Sequence, residues 1–464
     1  KVFFFAGFEH FGQTLDTGFV KSWVPTAAMR NGDFTNPGAV GSGSFVNTPT
    51  NFPGGIVPAN RIDPGGRAML NLFPNPNADP ATTGGYNYVD NLLVDQNGWQ
   101  GLARLDFNIS DNTKMFLRYN IQRETQPFVI GLWWRNGERQ VPYPSSISGK
   151  NRSDSVTASL THVFNPTLTN ETILAVTYID FPNQIDDRNA VSRQALGYPY
   201  QGIFGDSNDQ IPSADAGGWG NSGPMYFNPG GFDPILFATK WQVSAQNNLT
   251  KVWGLHTMKF GAYYEYVSNA QPRNNNSNGN AIFATWQGGS SGNTFADLLM
   301  GGPMAAYNEA SKNIVADMSY NLFEAYAQDS WKIKPRLTLD YGVRVSYLGP
   351  WSDNNGIGMA AWDQSKYGDG SGQFPGIVWN AKDSSVPLSG VKSSWTFVTP
   401  RVGFAWDLKG TGETVLRGGV GMYRYHEPQL IWSDLLEVGA GARTYDAPGG
   451  LTLAQIDALA GSGN

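Results

Sequence analysis

The sequence predicts an all-β fold, an antiparallel up-and-down transmembrane β-barrel of about 11–12 strands, each about ten residues long, with long extracellular loops. Three observations carry the expectation. Runs of strict apolar/polar alternation recur along the chain, they meet in pairs across short turns, and those pairs are separated by long Gly/Asn/Pro-rich excursions. A strand puts successive side chains on opposite faces, so such runs present one continuous apolar face and one polar face.

The clearest pair lies in residues 321–350. Leu337, Leu339, Tyr341, Val343, Val345 and Tyr347 alternate with Thr338, Asp340, Gly342, Arg344 and Ser346. Phe323, Ala325 and Ala327 oppose Glu324, Tyr326 and Gln328 in the partner run, Trp331 closes it, and residues 332–336 turn the chain. In chain order, residues 1–9 read as an aromatic-rich strand, followed by an excursion from Gly12 to Gly98 that holds a short helix at 63–73, stopped by Pro74 and Pro76. Ala103 to Ser110 and Met115 to Gln122 form the next hairpin, turning at Asp111-Asn112. Residues 155–164 and 171–179 follow, turning at Asn165-Pro166; then a loop from Phe181 to Pro234, and a hairpin of 241–250 with 258–266. A further loop carries Asn274 to Asn280, Gln287 to Asn293 and the apolar segment Phe295 to Gly301. The last hairpin spans 399–425, after which residues 430–464 begin another excursion. Short turns on one side and excursions of about thirty to eighty residues on the other match outer-membrane barrels better than a soluble sandwich.

The totals agree. Only 15% of the 464 residues are charged, 13% are aromatic, and there are 56 Gly and 28 Pro, against about 25% charged in ordinary soluble domains. The formal net charge of -6 includes no long run of one sign, so nothing supports a nucleic-acid partner. Absence of cysteine excludes disulfides, thiolate metal sites and a cysteine nucleophile. No apolar run reaches the length of a membrane helix, and a mean hydropathy of -0.34 is uninformative about alternating strands, which average to neutral.

The residues on the polar face of these runs are the candidate lumen wall: Arg104, Asp106, Arg118, Glu324, Asp340, Arg344, Arg401, Asp407 and Arg417. They suit either contact with a substrate along the lumen wall or, more simply, pairing of opposite charges between neighbouring lumen strands. Trp331, Tyr341, Tyr347 and Trp406, on the apolar face, are expected in the membrane-interface girdles rather than stacked on a carbohydrate. Other motifs carry less. Gly288-Gly289-Ser290-Ser291-Gly292 fits G-x-S-x-G but lacks the strand-turn-helix context of a nucleophile elbow. His10, His162, His256 and His426 have no metal-ligand spacing, and Asp206-Ser207-Asn208-Asp209 lacks the remaining ligands of a calcium loop. No catalytic residue, metal site or cofactor is expected.

Several stretches resemble the TonB-dependent outer-membrane receptors, within them the Oar-like branch common in acidobacteria: residues 1–9 (KVFFFAGFE), 24–34 (VPTAAMRNGDF), 56–64 (IVPANRIDP), 72–76 (LFPNP), 295–303 (FADLLMGGP), 326–345 (YAQDSWKIKPRLTLDYGVRV) and 399–421 (TPRVGFAWDLKGTGETVLRGGVG). The resemblance implies a barrel of about 22 strands in the bacterial outer membrane, plugged by an N-terminal domain and preceded by a periplasmic regulatory-like domain. It also implies uptake of a large or scarce solute, outer-membrane lipid around the barrel, and energy from a TonB complex that contacts a region N-terminal to this chain. Residues 1–464 are then expected to be one portion of a single barrel domain, without its plug or last strands, with free sheet edges. The alternative is a soluble or surface-exposed β-rich adhesin or carbohydrate-binding protein, expected to show polar residues on both strand faces or a core-sized apolar set in its loops. A secreted hydrolase comes third.

Overall fold

The structure is a computed structural model; it describes residues 1–41, 43–128, 141–142, 144–205, 209–217, 225–226, 237–272, 276–311, 314–368, 375–392, 396–429, 432–433, 435–436 and 444–460. Eleven strands follow one another in chain order and pair as a single antiparallel meander. They are β1 (Val2–Ser22), β2 (Tyr88–Asn108), β3 (Thr113–Phe128), β4 (Ile147–Asn165), β5 (Leu168–Asp180), β6 (Thr239–Trp253), β7 (His256–Pro272), β8 (Val315–Lys334), β9 (Leu337–Leu348), β10 (Thr396–Asp407) and β11 (Val415–Gly421). β1 and β11 end the ladder, and among the described residues they do not pair with each other.

The predicted turns fall where the alternation breaks: residues 109–112, 166–167, 254–255, 335–336 and 408–414 each join two strands at the same end of the sheet. The long connections at the other end are 23–87, 129–146, 181–238, 273–314 and 349–395. Several strands exceed the expected ten residues: β1 and β2 have 21 each, β4 has 19 and β8 has 20. The first excursion is therefore shorter than Gly12 to Gly98, because its flanks remain paired from Phe19↔Asn91 to Ser22↔Tyr88. Those flanks mix polar residues such as Gln13, Thr14, Asp95 and Gln96 with Leu15, Phe19, Val20, Leu93 and Val94 without a period of two, while the backbone ladder continues regardless.

Register shows how the sheet is sheared. Starting at Asn108, the residue before the first short turn, the paired positions run Lys114, Thr161, Glu171, Asn248, Gly261, Tyr326, Arg344 and Thr399. Thr399 lies eight residues before the end of its strand at Asp407, so the turns drop by eight residues over eight strand-to-strand steps. One residue per strand, at about 3.3 Å rise and about 4.8 Å spacing, corresponds to a tilt of about 35°, as barrels require.

The largest apolar core does not belong to the sheet. It is built by the long connections and by residues 451–459, uniting Trp23, Val24, Met29, Phe34, Phe45, Met69, Leu70, Ile203, Ile211, Phe283, Phe295, Leu298, Tyr307, Leu453 and Ile456, with Ile147 joining from the end of β4. A small sheet of residues 444–447, 306–310, 280–282, 213–215 and 225–226 ties three of the excursions together. The loops thus hold a core-sized apolar set, the feature expected of the adhesin alternative. The connections 23–87, 129–146, 181–238 and 273–314 contribute apolar residues without a period, and the core exists only where they meet.

Two short helices, Pro64–Asn71 and Thr294–Leu299, cross at the centre of this cap. A Cβ at Gly66 would stand 2.1 Å from the Leu298 carbonyl oxygen, so the crossing requires glycine there. Asn293 caps the second helix by accepting from the Phe295 and Ala296 amides, and its Nδ2 donates to the carbonyls of Phe45 and Asn47 at 2.9 Å. Phe295, fully buried, packs on Phe45 at a ring separation of 4.7 Å. Phe295→Ala is expected to cost the cap about 3–5 kcal/mol. Hydrogen exchange of residues 23–87 and 281–307 should accelerate while that of β2 to β9 stays unchanged.

Candidate functional site

The paired positions assign every strand residue to one of two faces. One row runs Leu105, Leu117, Ala158, Leu174, Ala245, Tyr264, Phe323 and Tyr347, and the rows above and below it are mostly apolar, interrupted at Thr172, Asn247 and Asn321. Leu174 (53% exposed) and Phe323 (51% exposed) have no protein cover on that face. The intervening rows are polar: Arg104, Arg118, Thr157, Ala175, Ser244 and Glu265 form one of them.

All nine charged candidates fall on the polar face by register, and Trp331, Tyr341, Tyr347 and Trp406 fall on the apolar face. Arg104 forks onto Asp106 of the same strand at 2.7 and 2.9 Å and lies 4.0 Å from the Phe116 ring centre. Arg118 sits opposite Arg104, and its Nε is buried with no hydrogen-bond partner among the described residues. Glu324 is paired with Arg344 and accepts from Ser346 Oγ at 2.7 Å. Asp340 and Arg401 line a recess with Gln328 and Ser330. Asp407 is committed elsewhere: its carboxylate accepts from the amides of Gly410 and Gly412 and shapes the turn. Arg417 stands on β11 opposite Ala405.

The sequence reading missed the most connected part of the polar face. Glu265 accepts from Tyr263 Oη at 2.6 Å, Tyr320 Oη at 2.8 Å and Gln242 Nε2 at 2.6 Å. Beside it, Tyr326 donates to Asn248 at 2.8 Å, and Arg344 lies over its ring. Tyrosines recurring on the polar side of adjacent hairpins were the available signal. Segment 422–429 returns over this wall: His426 stacks on Tyr320 at 3.7 Å, and Gln429 binds the backbone carbonyls of Asn269 and Ala316.

On the apolar face, Trp331, Tyr341 and Trp406 lie near the short turns, whereas Tyr347 lies ten residues above the start of β9. Tyr178 and Trp241 occupy the equivalent height on β5 and β6, with rings 4.6 Å apart. About ten tilted residues span about 25 Å, the height of an outer-membrane apolar band. Asp329 interrupts this face; its Oδ2 is held by His256 Nδ1 at 2.6 Å and Tyr341 Oη at 2.9 Å, while its Oδ1 is buried with no hydrogen-bond partner among the described residues. His162 is held by Thr113 Oγ1 at 2.8 Å.

The G-x-S-x-G stretch is a structural joint. Ser290 donates to Asp297 at 2.5 Å, the Ser291 amide donates to the same carboxylate at 2.8 Å, and Thr50 binds the Ser291 carbonyl. Burial pushes the Asp297 carboxyl up, against the opposing hydrogen bonds. Asp206, Ser207 and Asn208 lie outside the described residues; Asp209 is exposed and 3.4 Å from Arg188. Among the described residues no cluster of three His, Asp or Glu suits a metal ion, and no helix is long and apolar enough to cross a membrane.

Other resemblance stretches also meet in the cap. Arg30 donates to the carbonyls of Leu70, Phe73 and Pro74 at 2.6–2.9 Å, and burial pushes its guanidinium down to about 10. Asp63 caps the helix Pro64–Asn71, receives the Tyr200 hydroxyl, and its amide donates to the Leu299 carbonyl.

A sheared meander with one apolar and one polar face, short turns at one end and long connections at the other defines a transmembrane β-barrel sheet. The comparisons identify the family: the model described as "Outer membrane beta barrel domain" matches residues 1–448, and the chain belongs to it, which places it in the outer membrane. Among solved structures it is similar to the outer membrane transporter YddB from Escherichia coli, with 11% identity and a TM-score of 0.43 over 78% of this chain and 36% of that one. It is similar as well to the ferric-catecholate import receptor Fiu from E. coli K12 in its open form, with 12% identity and a TM-score of 0.39 over 73% and 48%. A third is P. aeruginosa FpvA bound to a heterologous pyoverdine, with 12% identity and a TM-score of 0.36 over 68% and 34%. The chain spans about a third to a half of the length of these structures. No curated protein matches it.

Two outcomes check the site. Leu174→Arg on the apolar face is expected to cost about 2–4 kcal/mol of folding stability in lipid vesicles, and Asn120→Arg on the polar face less than about 1 kcal/mol; urea titration measures both. The raised carboxyl of Asp297 makes the folded cap bind more protons than the unfolded one, so its contribution falls as pH rises from the ordinary aspartate range through the raised value. Asp297→Asn should flatten that part of the pH profile of cap hydrogen exchange.

Proposed function

We propose that residues 1–464 form part of the barrel domain of an Oar-like TonB-dependent receptor, which takes up a large or scarce solute through the outer membrane. The polar face is its lumen, with Arg104, Asp106, Arg118, Glu324, Asp340, Arg344, Arg401 and Arg417 on the wall and Asp407 at a periplasmic turn. Trp331, Tyr341 and Trp406 belong to the periplasmic girdle and Tyr347 to the extracellular one. In this reading the complete barrel has about 22 strands, a plug and periplasmic regulatory-like domain lie N-terminal to this portion, and TonB acts through that N-terminal region.

The observation that carries the proposal is the knitting of the cap. Residues 24–34, 56–64, 72–76 and 295–303, which resemble the receptor family, are remote in sequence, yet Arg30, Asp63, Gly66 and Phe295 fasten them to one another. The adhesin alternative gains from the buried core of the loops but leaves the uncovered apolar face of β2 to β10 without a partner. Enzymatic activity has no support in the Ser290 joint, where the Ser290 hydroxyl and the Ser291 amide both bind the Asp297 carboxylate and tie the loop to the helix Thr294–Leu299.

The full-length receptor is expected to show heat-modifiable migration and to accumulate a co-purified solute only in cells with an intact TonB complex. Accumulation that persists after loss of that complex contradicts active transport. Loss of heat modifiability in the native protein contradicts the barrel itself.

A further inference from the structure

We propose that Arg118 and Arg104 form an oxyanion subsite on the polar wall, which takes the phosphate or carboxylate group of a small solute. The two arginines stand directly opposite each other on β3 and β2, on the polar face. Side chains paired in this way start about 4.5–5.5 Å apart at Cβ, and like charges placed there repel unless something negative lies between them.

The protein supplies one carboxylate for two guanidinium groups. Arg104 takes it, binding Asp106 through Nε at 2.9 Å and Nη2 at 2.7 Å while resting on the Phe116 ring. Arg118 forms no hydrogen bond or ion pair with any described residue. Its other polar-face neighbours are uncharged: Phe116 and Asn120 on its own strand, Leu102 on β2, and Ser155, Thr157 and Ser159 on β4. The Arg118 Nε is covered, which holds the stem against the wall, and the rest of the guanidinium stays open because the residue is only half-buried. One positive charge is thus left over, carried by a positioned fork of donors. Such a fork matches the paired oxygens of a carboxylate or phosphate, and that match sets the ligand class.

Space for the rest of the solute adjoins the pair. A recess of about 370 Å³ begins at Leu102 and Asn120, the polar-face positions next to the arginines, and continues past Gln122, Gln100 and Ser153 to Glu9. Glu9 is paired with Gln100, four residues along β2 from Arg104 or about 13 Å at strand rise, and its carboxylate accepts from Gln100 Nε2 at 2.6 Å. At that distance, across water, it opposes an oxyanion at Arg118 only weakly. The recess therefore has a cationic end for the oxyanion and amide and hydroxyl groups for an uncharged remainder.

The inference rests on reading the polar face as a lumen. Phenylglyoxal labelling of the full-length receptor in detergent, read at each arginine by peptide mass spectrometry, tests it with inorganic phosphate as the probe against chloride at equal ionic strength. Phosphate should slow labelling of Arg118 in proportion to occupancy, by at least about fivefold, and leave Arg417, opposite Ala405, unchanged. Asp106→Asn, which frees Arg104 from its carboxylate, should lower the phosphate concentration required, and Arg104→Gln should raise it. Heat-modifiable migration of each variant establishes that the barrel is intact. No slowing at Arg118, equal slowing at Arg417 (an adventitious ion only), or an unchanged phosphate requirement in both variants overturns the subsite. Labelling of Arg118 that is already blocked in chloride overturns it too, because a side chain of the receptor then fills the solute's place. A spin label at Thr157→Cys, beside Arg118, separates the two readings in lipid. High oxygen accessibility there means that the lumen reading fails; low accessibility with no effect of phosphate removes the subsite alone.

Discussion

Backbone hydrogen bonding in hydrocarbon is the constraint on which the rest depends. A peptide group in lipid has no water to bond, so each strand must find partners on both sides, and ten successive ladders here provide them. The one-residue drop per strand then sets the tilt, and the tilt sets which residues reach each interface. The apolar face, the polar face and the gathering of the long connections at one end are consequences of that ladder rather than separate designs.

The apolar side chains are divided between two environments. Those of the sheet lie on one exposed face, as at Leu174, Val343 and Val402; those of the connections face one another and form the buried core around Phe45, Met69 and Phe295. A barrel wall held by main-chain ladders needs little side-chain core of its own. The cap has short helices and few ladders, so it depends on aromatic packing, on Asn293, and on Arg30 binding three carbonyls of another segment.

How much was legible follows from the same division. The strands β8 and β9 announced themselves because an apolar and a polar face impose a period of two, and Leu337 to Tyr347 shows it without interruption. The upper parts of β1 and β2 did not, because beyond the lipid neither face is selected for polarity. Charges on the polar wall could be placed by parity, but the network around Glu265 required knowing that β6, β7 and β8 are adjacent. The cap was least legible: Val24, Phe34 and Phe45 have no period, and their contacts join residues more than two hundred positions apart, as in Phe45 with Phe295. Asp329 is a smaller case, a carboxylate on the apolar face whose partner His256 belongs to the preceding strand.

The central claim is that one face of this sheet meets lipid and the other a lumen. The chain has no cysteine, so single cysteines can be introduced and spin-labelled one at a time without background. Oxygen accessibility across residues 339–346 of the full-length receptor in lipid is the most direct measurement. The account predicts high accessibility at Leu339, Tyr341, Val343 and Val345 and low accessibility at Asp340, Gly342, Arg344 and Ser346. A profile without that period, or with the even positions in lipid, would contradict it.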